Sequence, residues 1–328
     1  MIGTGKFATS CSRKSRHPSS YPARMTLRRL AVMNLIAQSA IIVTGVTVRV
    51  TGSGLGCPTW PQCTPGSYVP TVHQAETWHK YVEFGNRTLT FALTAIAVGV
   101  LFAAWRSFEI DRRTRMLAAV PLLGTMVQAV LGGITVLTEL HPGTVMAHFL
   151  ISVLLVAASH ALLVRVSHRI VDPLKPNMLV DLGSRALVVL GFIVIFLGTI
   201  VTGSGPHSGD ADQPARLGFD PALIAWIHAD AVWFISGISV SLWLYVRFVV
   251  QHRELESRLQ FLVIIIAMQG AVGYVQYWTG LPWPLVVVHV AMAALFWIAI
   301  LNVRATVRAA LSAGTDLRRL PETATTNT

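Results

Sequence analysis

Residues Val50–Cys63 read VTGSGLGCPTWPQC, and the first five letters return as VTGSG at Val201–Gly205. Each copy closes a long apolar run, so two segments 151 positions apart end alike. A repeated ending points to a repeated unit. Sliding the chain by 141 positions sets Gln128, Gly132, Thr138, Leu140 and His148 on Gln269, Gly273, Thr279, Leu281 and His289. The sequence therefore predicts a tandem duplication of a four-helix unit, of which only the first copy continues into a pair of cysteines.

The rest of the chain sets the solvent for that unit. Of 328 residues 53% are hydrophobic and only 12% charged, and the apolar residues gather in blocks of about 20, the length of helix that crosses a bilayer core. Eight blocks stand out, at roughly 29–50, 81–105, 116–138, 144–165, 185–203, 221–247, 258–279 and 284–304. The fold class they predict is an all-α polytopic membrane protein of eight transmembrane helices, arranged as two tandem four-helix bundles. An even number of crossings per unit makes the two bundles parallel, related about the membrane normal. The expected divisions are a disordered tail at 1–27, an N-terminal catalytic half at 28–167, a linker at 168–184, a C-terminal heme half at 185–308 and a tail at 309–328.

A net charge of +11 would suit a nucleic-acid binder, but the placement of the basic residues argues for topology instead. With the N-terminus in the cytoplasm, 22 of the 26 Lys and Arg fall on the inner side, and only Arg49, Lys80, Arg87 and Arg216 fall outside. That is the positive-inside bias. It predicts a multi-pass plasma-membrane protein embedded in the lipid bilayer, with both termini cytoplasmic and no nucleic-acid partner. The first 24 residues lack the apolar core of a cleaved signal, no Asp or Glu precedes Glu76, and Met25 is read as the natural start.

On this topology Cys57 and Cys63 lie in the first outer loop and Cys11 in the cytoplasmic tail. Two cysteines on the oxidising side, with no second ligand pair nearby, predict a disulfide, in a loop stiffened by Pro58 and Pro61. A purely structural staple and an exchangeable redox bond both remain open.

The repeat also orders the buried polar residues. His148, His228 and His289 lie in the fourth, sixth and eighth blocks, and the counterpart of His228 in the second block is Asn86. Ionisable groups within a membrane are costly and usually face the bundle interior, although a single histidine can equally serve as a hydrogen-bonded strut between helices. Imidazoles from two facing helices suit the two axial positions of a heme iron. Zinc or copper would want further ligands, and the only candidate near His228, Asp230, sits on a different helical face. The second half thus offers His228 and His289 to one iron. The first offers His148, the amide of Asn86 and, one turn outward, Glu83, where the second half has Ala225. An iron held by one histidine keeps an exchangeable position, and a buried carboxylate beside it could move protons. Arg87 is placed with the cofactor-binding residues, and the alternative for Glu83 is an ion pair with Arg87 four residues on. His79 and His141 are expected at the outer mouth, His73, His160 and His207 receive no chemistry, and Trp60, Trp78, Trp226 and Trp283 are expected as interfacial anchors.

These features together, the GLGCPTWPQC loop after VTGSG, the EFGNR segment and the single histidines in three even-numbered spans, resemble heme A synthases over residues 28–304. The resemblance implies oxidation of a ring methyl of heme O to a formyl group, giving heme A for cytochrome oxidase. It implies a resident heme b held by His228 and His289, a substrate site containing Glu83 and His148, docking with a heme O-producing enzyme, and an electron donor or acceptor that it does not identify. Members commonly carry a histidine where this chain has Asn86, so a bis-histidine substrate site does not carry over. A b-type cytochrome that only relays electrons and a repeat-built transporter are the competing readings.

The topology is checkable directly. A fluorescent protein that folds only in the cytoplasm should be bright when fused to the C-terminus, and alkaline phosphatase inserted between the fifth and sixth spans should be active.

Overall fold

A computed structural model describes residues 20–75, 77–107, 110–167, 170–207, 209 and 215–318. Its elements are α1 (Ser20–Val50), α2 (His79–Arg106), α3 (Arg112–Leu137), α4 (Pro142–Val166), α5 (Met178–Ser204), α6 (Pro221–Tyr245, continued by a π turn over Val246–Val250), α7 (Arg253–Trp278) and α8 (Trp283–Arg318). All eight are long and apolar enough to cross a membrane, and each coincides with one apolar block of the sequence. Helices suit this solvent because each closes its own backbone hydrogen bonds where no water can.

Within each half the helices pack in a ring: α1 on α2, α2 on α3, α3 on α4 and α4 back on α1, then α5 to α8 in the same order. The halves meet through α1 and α4 on one side and α5 and α8 on the other. A single apolar core runs through the second half and across that seam, from Leu35 and Ile42 of α1 to Phe296, Trp297 and Ile300 of α8. The Trp297 indole N–H donates to the carbonyl of Val153 at 3.1 Å, fixing α8 against α4.

The first half is built differently inside. Its own apolar cluster is small and lies at the inner end, around Leu27, Ala31, Val100, Ala104, Ala118 and Leu162. Above it the interior is polar: Asn34 donates to Ser159 Oγ at 2.8 Å, Gln38 to Thr125 Oγ1 at 3.3 Å and Gln128 to Ser152 Oγ at 2.5 Å. At the 141-residue shift Thr125, Ser152 and Ser159 become Ile266, Ala293 and Ile300. Helices in lipid gain from such interhelical hydrogen bonds because an unpaired polar group has no water to turn to.

The duplication is visible in the backbone as well as in the letters. At the end of α3, Glu139 and Leu140 have positive φ, 52° and 58°, and at the end of α7 so do Gly280 and Leu281, at 77° and 58°. The N–H of Leu140 reaches back to the carbonyl of Thr135 at 2.9 Å, and that of Leu281 to Gln276 at 2.8 Å. This closure stops a helix by reversing the chain through left-handed residues.

Two helices run beyond their apolar blocks. α8 has 36 residues, about 54 Å at 1.5 Å per residue, against a hydrocarbon core of about 30 Å. The boundaries set at 27/28 and 308/309 therefore fall inside α1 and α8, because hydropathy marks where lipid ends rather than where a helix does. Residues 1–19, with Cys11 and most of the expected disordered tail, lie outside the described residues. The linker is held: Leu174 donates from its N–H to the carbonyl of Ala310 at 2.9 Å, and Val171 and Leu174 are buried.

The α8 extension depends on Gly314, where an added Cβ would lie 2.1 Å from the carbonyl oxygen of Leu174. Gly314→Ala gains about 1 kcal/mol of helix propensity but forces linker and helix apart, at about 1–3 kcal/mol for an overpacked contact. The expected net result is a lower Tm for the detergent-solubilised protein; a raised Tm would show that the linker yields freely.

Candidate functional site

Each even-numbered helix carries its polar residue at the same depth. Asn86 and His228 are the eighth residues of α2 and α6, and His148 and His289 the seventh of α4 and α8, about 9–10.5 Å along the axis from the helix N-termini. Pro142 and Pro221 open α4 and α6 at their first positions, where proline costs no hydrogen bond, so these helix starts, and the depth measured from them, are set locally.

The three imidazoles are seated alike. His148 lies against Gly132 of α3, His228 against Gly198 of α5 and His289 against Gly273 of α7. A Cβ at any of these glycines would sit 3.3–3.4 Å from the ring Cε1 and 3.8–3.9 Å from Nδ1, with no other ring atom within 4 Å. The Nδ1 atoms of all three rings are buried without a hydrogen-bond partner. The carbonyls of His148 and His289 accept from Gln128 Nε2 at 2.8 Å and Gln269 Nε2 at 3.1 Å, so the same amide clamps the same helical turn in both halves.

Among the described residues no group of three or more His, Cys, Asp or Glu is placed to hold a bare metal ion. A porphyrin brings four nitrogen ligands of its own and asks the protein for one or two axial imidazoles. Partly buried rings, each with its Nδ1 side turned to the glycine of the neighbouring helix and held at matched depth, fit that demand.

The structure brings Glu83, Arg87 and the cysteine loop together. Cys57 and Cys63 are disulfide-bonded, with the sulfurs 2.02 Å apart. Glu83 is 5% exposed, and its carboxylate accepts the N–H of Cys57 at 2.6 Å and the Arg87 guanidinium at 2.5 and 3.0 Å. Arg87 also donates to the carbonyls of Cys57, Thr59 and Gln62. A guanidinium has five N–H donors, and these contacts occupy all five. Arg87, expected to bind the cofactor, spends these donors on Glu83 and the loop. The ion-pair alternative for Glu83 is realised, in a buried setting that spacing along a helix could not show.

Trp60, expected as an interfacial anchor, instead lies on α3: a Cβ at Gly133 would fall 2.4 Å from its indole. The loop thus reaches from the end of α1 to α3, and Gly133 adjoins the Gly132 that seats His148. Asn86 turns its Oδ1 toward α1, where the Thr44 hydroxyl donates to it at 2.7 Å. Thr44 and Gly198 were not singled out from the sequence, whereas Gly132 and Gly273 were, as members of the matched repeat. A signal existed only for Gly132 and Gly273, as matched glycines 16 residues before their histidines.

Four of the other described histidines bond to nearby residues. His79 Nδ1 pairs with Ser53 Oγ at 2.8 Å, His141 accepts from Gly143 N–H at 3.2 Å, and His160 Nε2 meets Asn302 Oδ1 at 3.2 Å. His207 Nε2 pairs with the Leu281 carbonyl at 2.8 Å. The two VTGSG copies meet at the seam: Arg49, just before the first copy, donates to the carbonyl of Thr202 in the second at 3.3 Å and to that of His207 at 2.7 Å. Gly54 donates to the carbonyl of Gly209 at 2.9 Å, an approach at which a Cβ would fall 2.9 Å from the same oxygen.

Comparison with known proteins agrees with this architecture. A heme A synthase of Bacillus pumilus is 27% identical over 186 residues, covering 54% of this chain and 59% of that protein. Another of Listeria monocytogenes is 24% identical over 268 residues, 77% of this chain and 86% of its own length. One of Bacillus mycoides is 24% identical over 302 residues, 86% and 95%. The matches to the B. pumilus and Halalkalibacterium halodurans proteins thus span 59% of those relatives' lengths. The COX15-CtaA family profile, described as cytochrome oxidase assembly protein, matches residues 28–207. With more than half of its length under that profile, on a frame of eight membrane helices with histidines at matched depth, the chain belongs to the COX15-CtaA family of cytochrome oxidase assembly proteins.

Proposed function

We propose that the protein is a heme A synthase, a membrane oxidoreductase that converts the ring methyl of heme O to the formyl group of heme A. The observation that carries this reading is the inequality of two pockets built on one plan. The C-terminal half presents two seated imidazoles, His228 and His289; the N-terminal half presents one, His148, beneath a disulfide loop fastened by Glu83 and Arg87. Two axial imidazoles suit a resident heme b that carries electrons, and a single one suits a substrate heme whose iron keeps a position free. The names of the relatives support the same substrate.

When bound, heme supplies the one-electron chemistry, and the residues of the chain do the rest. The seats at Gly198 and Gly273 orient the His228 and His289 rings, and Gln269 fixes the turn that carries His289. Gln128 does the same for His148. Glu83 and Arg87 hold Cys57, Thr59 and Gln62, and with them the Trp60 indole, over the outer end of the first half, which excludes water from the site. The bonds of Glu83 to the Cys57 N–H and to Arg87 favour a positioning role, exerted through the loop, over direct proton transfer. We place both heme sites toward the outer face and the upstream heme O-producing enzyme among the partners.

The decisive test is the porphyrin extracted from a host that makes heme O but no heme A. Expression of this chain should add heme A to the extract; a folded, heme-loaded protein yielding none would refute the synthase reading in favour of a b-type cytochrome, and a protein free of heme would favour a transporter. His228→Ala or His289→Ala should abolish the bis-imidazole spectrum. Glu83→Ala leaves the part-exposed Arg87 guanidinium with only its three carbonyl partners, a loss of about 1–3 kcal/mol for charge-assisted hydrogen bonds removed. It should stop turnover, leave the bis-imidazole spectrum intact and speed reduction of the Cys57–Cys63 bond by added thiol. Lost turnover with unchanged reduction kinetics would assign Glu83 to proton transfer instead.

A further inference from the structure

Three of the four equivalent polar positions follow one rule, and the fourth breaks it. In α4, α6 and α8 the position is histidine, and its ring rests on a glycine of the preceding helix with Cε1 3.3–3.4 Å from where a Cβ would be. In α2 the position is Asn86, and the preceding helix offers no such seat. Counting back three residues from Val201 reaches Gly198, the seat of His228; counting back three from Val50 reaches Thr47. One turn further inward Thr44 donates its hydroxyl to Asn86 Oδ1 at 2.7 Å. Of the two polar atoms of a primary amide, the oxygen is the one with lone pairs to give; here it is turned toward α1, where the Thr44 hydroxyl, also 3.2 Å from the Ile41 carbonyl, takes one of them at the shorter distance.

We propose that the Thr44–Asn86 pair removes α2 from iron ligation in the first pocket. His148 is then the only side chain of this protein to coordinate the substrate heme, and the opposite axial position is left to an exogenous ligand. The choice is made on α1 as much as on α2: without a glycine seat, an imidazole at position 86 would meet the Thr44 side chain where its three counterparts meet bare backbone. The inference rests on the heme reading above and adds the ligand set of the substrate site, with Thr44 as its positioning residue.

The test uses the full chain, purified in detergent with heme b and heme O bound, and carbon monoxide as the probe. Carbon monoxide binds reduced iron that has a free or exchangeable axial position and leaves a bis-imidazole heme alone. In the native protein about half of the heme absorbance should shift with carbon monoxide, one iron of the two having an exchangeable position. The ferric electron paramagnetic resonance spectrum should likewise contain one high-spin and one low-spin population. Asn86→Ala should leave both patterns unchanged, and His148→Ala should remove the responsive heme. Asn86→His alone should keep most of the carbon monoxide response. Asn86→His combined with Thr44→Gly and Thr47→Gly should reduce it by about tenfold as a second bis-imidazole site forms.

A native protein whose two hemes both ignore carbon monoxide, or an Asn86→Ala spectrum that changes spin state, overturns the proposal. So does full conversion by Asn86→His with both threonines in place, or a carbon monoxide response that survives in the triple variant. Should that variant fail to fold, the native and Asn86→Ala measurements decide alone. Heme-free protein in every arm would refute the heme reading and this proposal together, whereas heme-loaded protein with the wrong response refutes this proposal only.

Discussion

In lipid the apolar surfaces of two helices gain nothing by leaving their solvent, so helices associate where they can come close or share a hydrogen bond. Both devices recur here at the same place in each unit. Gly132, Gly198 and Gly273 let a helix approach an imidazole edge to van der Waals contact, and Gln128 and Gln269 tie the third helix of each half to the histidine-bearing turn of the fourth. The depth, orientation and spacing of the histidines follow from these contacts. A side chain at any of the three glycines would displace the ring it seats.

A duplicated unit can keep its frame and change its filling. The second half closes around an apolar core that extends across the seam into α1 and α4. The first half keeps Asn34, Gln38, Thr125, Ser152 and Ser159 in its interior, paired across helices, where the second has aliphatic or small residues at three of the matching sites. Its specificity of packing thus rests more on hydrogen bonds and less on jigsaw fit.

The outer loops make one assembly of the two halves. Arg49 bonds carbonyls of the second VTGSG copy and its following loop, Gly54 bonds Gly209, and His207 bonds Leu281. The pentapeptide recurs because each copy supplies small residues where backbones from both halves must touch. Only the first copy adds the disulfide loop, and that loop lies over the half with one glycine-seated histidine.

Much of this was legible in the letters. Eight apolar blocks fixed the eight spans, since a helix is the one open-ended structure that satisfies its backbone in lipid; the distribution of Lys and Arg fixed the expected orientation, and the 141-residue repeat fixed the pairing of His148 with His289. Spacing along a helix assigns a residue to a face but not to a neighbour, and that is where the tertiary structure decided. It gave all five donors of Arg87 to Glu83 and the loop, laid Trp60 on Gly133 and bonded Asn86 to Thr44, contacts between residues 42 or more positions apart or closed only by the fold of a loop. It also carried α1 and α8 past the apolar blocks, because hydropathy records contact with lipid, whereas a helix ends only where its hydrogen-bond ladder does.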